Sequence, residues 1–178
     1  MAATAGGVGS AAESPEARLR ELGIELPQPP EALGSYMPVH LVGDLLYTSG
    51  TLPMWNGELR GEGVVGEGVT VSQASASARL CMLNILALVR DRLGSLDAVR
   101  QMVQLTGFVR SSPGFAQQGK VLNGSSDLLI ELFGDRGRHT RAALGTTDLP
   151  MGAVVEITAI VRVFPDLVGR NVKGVRVP

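Results

Sequence analysis

The chain reads as an α+β fold, a mixed β-sheet with two helices packed on one face. Three observations predict it. The front half alternates short apolar runs with tight-turn residues, two long segments carry helical periodicity, and period-two alternation returns between and after them.

In chain order, residues 1–25 read as a flexible tail carrying one short helix. Ser14-Pro15-Glu16 supplies a cap with proline at the first helical position, and Gly23 supplies the stop. After the proline-rich Leu26–Pro30, apolar runs at 39–42 and 45–50 flank Gly43-Asp44, and Asn56-Gly57 marks a second hairpin-type turn. Thr70 and Gln73 have capping-box spacing and open a long helix with Ala74, Ala78, Cys81, Ile85, Leu88 and Val89 on one stripe, closed by Gly94. Residues 99–110 predict a strand with Val103, Leu105 and Val109 on one side. A second helix follows over about 115–133, with Val121, Leu122, Leu128, Leu129 and Leu132 inward and Gly134 beyond its end.

A strand near 140–145, a turn through Leu149-Pro150 and a long strand over 153–163 complete the pattern. In the last strand Val155, Ile157, Ala159, Val161 and Val163 share the face that covers the helices. Val154, Glu156, Thr158, Ile160 and Arg162 share the other. Val154 and Ile160 would be wet in a monomer, so that face predicts symmetric assembly. The domain is set at 26–165, with 166–178 as a C-terminal tail.

At 178 residues the chain suits one domain with one core. A net charge of −1 and 4% aromatic residues give no basic surface for nucleic acid. Charged or polar residues interrupt every apolar run before it reaches membrane-crossing length, and the first residues lack targeting features. The expectation is a cytoplasmic protein that binds neither membrane nor nucleic acid. Cys81, the one cysteine, falls on the apolar helix stripe and reads as a small core residue. His40 has no partner at metal spacing, so no metal is expected, and His139 reads as a surface histidine. Gly61 to Gly66 matches the dinucleotide fingerprint by letters but follows hairpin sequence, and Asn123-Gly124-Ser125 matches a glycosylation sequon inside a helix. Both are read as chance.

Two charges stand in otherwise apolar strand sequence, Arg141 and Glu156. A guanidinium there can hold a planar carboxylate through two parallel hydrogen bonds, and a carboxylate on the following strand can move a proton beside it. The structural alternatives are that Arg141 forms an ordinary ion pair and that Glu156 pairs with Arg141, or with Arg162 across a subunit contact.

From about residue 33 to 163 the chain resembles the RidA/YjgF family of reactive-intermediate imine deaminases, also labelled endoribonuclease L-PSP-like. The resemblance rests on Gly34-Ser35-Tyr36, Thr48-Ser49-Gly50-Thr51-Leu52-Pro53, Arg141, Leu149-Pro150 and Val155-Glu156-Ile157. It implies a chorismate-mutase-like fold, a homotrimer with clefts between subunits, and hydrolysis of 2-imino acids or their enamine tautomers to 2-keto acids and ammonia without a cofactor. It also implies Arg141 as the carboxylate anchor, Glu156 as the acidic residue that places water, and Tyr36, Ser49, Gly50 and Asn123 as cleft residues. The alternative is a non-catalytic module that binds small carboxylates. Ala143, where well-known members carry cysteine, and Thr51-Leu52 in place of a Gln-Ile pair are departures that bear on substrate preference.

Overall fold

The computed structural model describes residues 14–32 and 34–167; the segments 1–13 and 168–178, which contain most of the expected tails, lie outside that range. Helix α1 spans Pro15–Glu21 and is capped by the Ser14 side chain. It is seated on the body of the protein. The Glu16 carboxylate takes two hydrogen bonds from Arg90, at 2.9 and 2.7 Å, and a third from the Leu96 amide. Leu19 is buried in the common core.

Strands β1 (Val39–Val42) and β2 (Leu45–Thr48) form the first hairpin. β3 (Met54–Trp55) and β4 (Glu58–Leu59) form a second, turning through Asn56 and Gly57 at positive φ. A small parallel pair follows, β5 (Val64–Val65) and β6 (Gly68–Val69). Helix α2 (Val71–Leu93) opens with the complete Thr70/Gln73 capping box and ends at Gly94, which has φ +83°. Then come β7 (Val99–Arg110), α3 (Gln118–Phe133), β8 (Thr140–Thr146) and β9 (Val155–Val163). The main sheet has the order β1-β2-β9-β7-β8; only β7 and β8 run parallel. The mixed sheet expected from the sequence is present, with both long helices on one face.

The inner face of β9 matches the alternation: Val155, Ile157, Ala159, Val161 and Val163 are all buried. Two assignments change. Val103 does not share a side with Leu105 and Val109, because irregular pairing between Met102 and Gln104 puts an extra residue into β7 and turns Met102 inward instead. Val154 is not wet either. It precedes β9, receives the Arg110 amide on its carbonyl and packs beside Gly61 within the core. Ile160 is half-buried.

By length and composition α2 is apolar enough to cross a membrane, contrary to the expectation that no run is, but 56% of that window is buried here. Its inner stripe faces α3 and β9, as a core helix should. The two helices approach so closely that a Cβ on Gly124 would meet the carbonyl oxygen of Ser75. Backbone cannot step aside as a flexible side chain can. Gly124→Ala is therefore expected to lower the unfolding free energy by about 1–3 kcal/mol, the usual cost of overpacking. Denaturant midpoints of the two proteins measure this, and equal midpoints would mean the helices separate freely.

Candidate functional site

Arg141 and Glu156 lie on strands consecutive in sequence, but β7 runs between them. The inference that the two groups sit on adjacent strands is therefore corrected. Arg141 is level with Leu105, a residue of the buried helix-facing side, whereas Glu156 is level with Phe108 and points from the open face. Two strand spacings and three residues of rise separate their Cα atoms by roughly 14 Å. Within one chain they do not form a single site.

The Arg141 guanidinium reaches across to α3. Nη1 donates to Asn123 Oδ1 at 3.0 Å and Ser126 Oγ at 2.9 Å, and Nη2 donates to the Gly119 carbonyl at 3.1 Å. These acceptors carry no formal charge, so Arg141 is not the ordinary ion pair of the alternative reading. Its Nε–H and one Nη2 hydrogen have no acceptor among the described residues. Asn123, which the resemblance implies as a cleft residue, stands beside Arg141.

Ser126 and His139 complete this cluster, and sequence reasoning did not find them as a pair. His139 Nδ1 lies 2.6 Å from the Gly137 carbonyl, which can only accept, so Nδ1 carries the proton. In the neutral ring Nε2 then accepts from the Ser126 hydroxyl at 3.1 Å, which leaves the serine lone pairs for Arg141. His139 is partly buried rather than a free surface residue. No sequence spacing announces the pair, because the parallel register of β8 against β7 brings it together.

Arg162, the other candidate partner of Glu156, donates from Nε to Asp44 at 2.6 Å and lowers the Asp44 pKa by that hydrogen bond. Glu156 has no ion-pair partner among the described residues, and burial raises its pKa. Its carboxylate lies against Gly50, where a Cβ would fall on the carboxylate oxygen. The paired hydrogen bonds between Thr51 and Ile157, at 2.9 and 3.1 Å, hold the two backbones in that relation. A side chain at 50 would therefore displace the Glu156 carboxylate from this place.

Gly50 opens onto a cavity of about 390 Å³ that Tyr36 and Ser49 also line. Ser49 anchors the Tyr36 loop, its Oγ donating to the Met37 carbonyl at 2.7 Å and its amide to the Pro38 carbonyl at 2.9 Å. The site residues thus fall into two groups. Arg141 and Asn123 sit at the β8 edge; Tyr36, Ser49 and Gly50 line the cavity, with Glu156 against Gly50. Cys81 is buried, with its thiol pKa driven up by burial, and takes no part in either group.

A five-stranded sheet with α2 and α3 on one face, and charged groups at its edge and on its open face, defines a chorismate-mutase-like α+β protein. The family described as "YjgF/chorismate_mutase-like, putative endoribonuclease" matches residues 16–165, and the chain belongs to it. It is 40% identical over 148 residues to Protein TCP17 of Trypanosoma cruzi, covering 82% of this chain and 91% of that one. The structure of Atu1372 from Agrobacterium tumefaciens, described as a protein of unknown function, superposes with a TM-score of 0.78 and 45% identity, covering 85% and 94% of the two chains. RidA from the Antarctic bacterium Psychrobacter sp. PAMC 21119 shares 28% identity with a TM-score of 0.55, covering 76% and 94%.

The raised Glu156 pKa has a thermodynamic consequence. The folded state holds this proton more tightly than the unfolded chain, so stability falls as pH rises from the ordinary glutamate range through the raised folded value. Glu156→Gln should therefore be more stable than wild type at neutral pH, with the difference closing below the ordinary glutamate range. Unfolding curves at a series of pH values test this, and a difference that does not vary with pH would mean the carboxylate is fully solvated.

Proposed function

We propose that this protein hydrolyses 2-imino acids, or their enamine tautomers, to 2-keto acids and ammonia. It would do so in clefts formed between the protomers of a homotrimer, in the cytoplasm. The observation that carries the reading is the state of Arg141. Three of its N–H groups are committed to α3, and the remaining Nε–H and Nη2–H suit the two oxygens of a substrate carboxylate. Family membership and the likeness to a RidA protein support the same chemistry.

The opposed faces support assembly. Arg141 and Glu156 cannot meet on one substrate within a chain, so in this reading Arg141 of one protomer faces Glu156, Gly50 and Tyr36 of its neighbour. Arginine fixes the carboxylate and so presents the imine carbon in one orientation. Glu156, deprotonated, accepts a proton from water as the water oxygen bonds to that carbon. The C=N electron pair of the protonated imine moves to nitrogen in that step; Glu156 then returns its proton to nitrogen, the C–N bond of the carbinolamine breaks as C=O forms, and the hydroxyl proton passes through Glu156 to the departing ammonia. Partial desolvation strengthens the basicity of the carboxylate that the first step uses.

The test uses imines generated in situ by an amino-acid oxidase and follows keto-acid release. Arg141→Ala is expected to lower kcat/KM roughly tenfold to a hundredfold, the cost of one charge-assisted pair. Ser126→Ala, which removes one of the three acceptors orienting the guanidinium, should lose about two- to tenfold, chiefly through KM. Saturable keto-acid binding with no acceleration of any imine would instead favour a module that binds small carboxylates without turnover.

A further inference from the structure

The cavity beside Gly50 is larger and more apolar than hydrolysis of a small imino acid requires. Its volume of about 390 Å³ is that of a small-molecule pocket, more than an alanine-sized imino acid fills. Beyond Tyr36 and Ser49, the lining combines the polar Gln28, Thr51 and Asn56 with an apolar majority of Pro29, Pro30, Leu52, Met54, Leu88 and Met151.

Each of these walls has a structural reason. Leu88 belongs to the buried stripe of α2 and is held by the core. The 28–32 segment is stiffened by two prolines and tied down by the Gln28 amide, which donates to Asn56 Oδ1 at 3.0 Å. Met151 is 57% exposed and has φ +57°, a left-handed conformation that an unbranched non-glycine side chain adopts only where its surroundings impose it. The Met151 side chain lines the cavity. Glu31 is the one carboxylate in the lining, and with Glu156 against Gly50 it opposes a second acidic group in a ligand.

We infer that this cavity is a side-chain subsite, and that it selects 2-imino acids with bulky uncharged apolar side chains over alanine-sized and dicarboxylic ones. The inference rests on the imine-hydrolysis reading and specifies its substrate class. The reacting end lies at Gly50 beside the Glu156 carboxylate, and the side chain extends along Leu52, Met54 and Leu88. Each methylene placed there adds selectivity of the size an apolar pocket ordinarily provides.

Two measurements test it together, on wild type and on Ala32→Trp. Ala32 is a half-buried loop position in the lining, where an indole occupies the cavity without entering the core. The first measurement is hydrolysis of imines made in situ from alanine, leucine, phenylalanine and glutamate. The second is calorimetric binding of pyruvate, 4-methyl-2-oxopentanoate, phenylpyruvate and 2-oxoglutarate. Wild type should favour the leucine- and phenylalanine-derived compounds over the other two by about tenfold or more, and Ala32→Trp should reduce that preference to about threefold or less while leaving the alanine-derived compound within about twofold.

Equal treatment of all side chains by wild type overturns the inference, as does a uniform loss in a folded Ala32→Trp protein. The wild-type panel decides by itself if that variant does not fold. Keto-acid binding in the expected size order without turnover would leave the subsite standing and remove the hydrolysis beneath it. Turnover without size order would do the reverse, and neither turnover nor binding would remove both.

Discussion

The pairing of β9 with both β2 and β7 is the constraint on which the rest of the molecule depends. A strand paired on both edges has its backbone groups satisfied and its two faces fixed, so each side chain has one destination. The inward set closes the core beneath α2 and α3. The outward set then has to include Glu156, because the positions on either side of it in sequence, Val155 and Ile157, are committed to packing. A desolvated carboxylate on the open face is thus a by-product of how the core is filled, retained beside a glycine that leaves room for it.

The opposite edge follows a different rule. β8 is joined to β7 in parallel through α3, and that crossover lays the helix along the edge where Arg141 emerges. The guanidinium is immobilised by polar groups of α3 rather than by an acid. It remains a full positive charge with its directionality set, and neutral acceptors orient an arginine without cancelling it. One edge of the sheet therefore presents fixed positive charge, while its open face presents a carboxylate whose charge depends on its surroundings.

Local chemistry was legible in the sequence where it involves neighbours. The Thr70/Gln73 cap, the Asn56-Gly57 turn, the glycine stops of the helices and the parity of β9 all follow from residues within a few positions of one another. What escaped depends on distant segments. The bulge in β7 has no composition mark, so Val103 was assigned to the wrong side. Insertion of β7 between β8 and β9 defeats the expectation that consecutive strands are neighbours. Ser126 and His139 are unremarkable on a helix and before a strand, and become a hydrogen-bonded pair only through sheet register. The resemblance located Arg141, Glu156 and Gly50, but not that the first points to one face of the sheet and the second to the other.

The clamp on α1 also bears on the cavity. Glu16 is fastened to the C-terminal turn of α2, and farther along the same chain Gln28 is fastened to the Asn56 turn. The proline-bearing segment of the cavity lining starts from that second tether, so its conformational freedom is already spent in folding. A molecule entering the cavity meets a wall that does not have to be frozen into place, and its affinity is not reduced by the entropy of organising a loose strap. The stretch between α1 and the cavity is thus fastened at both ends, by Glu16 on α2 and by Gln28 on the Asn56 turn.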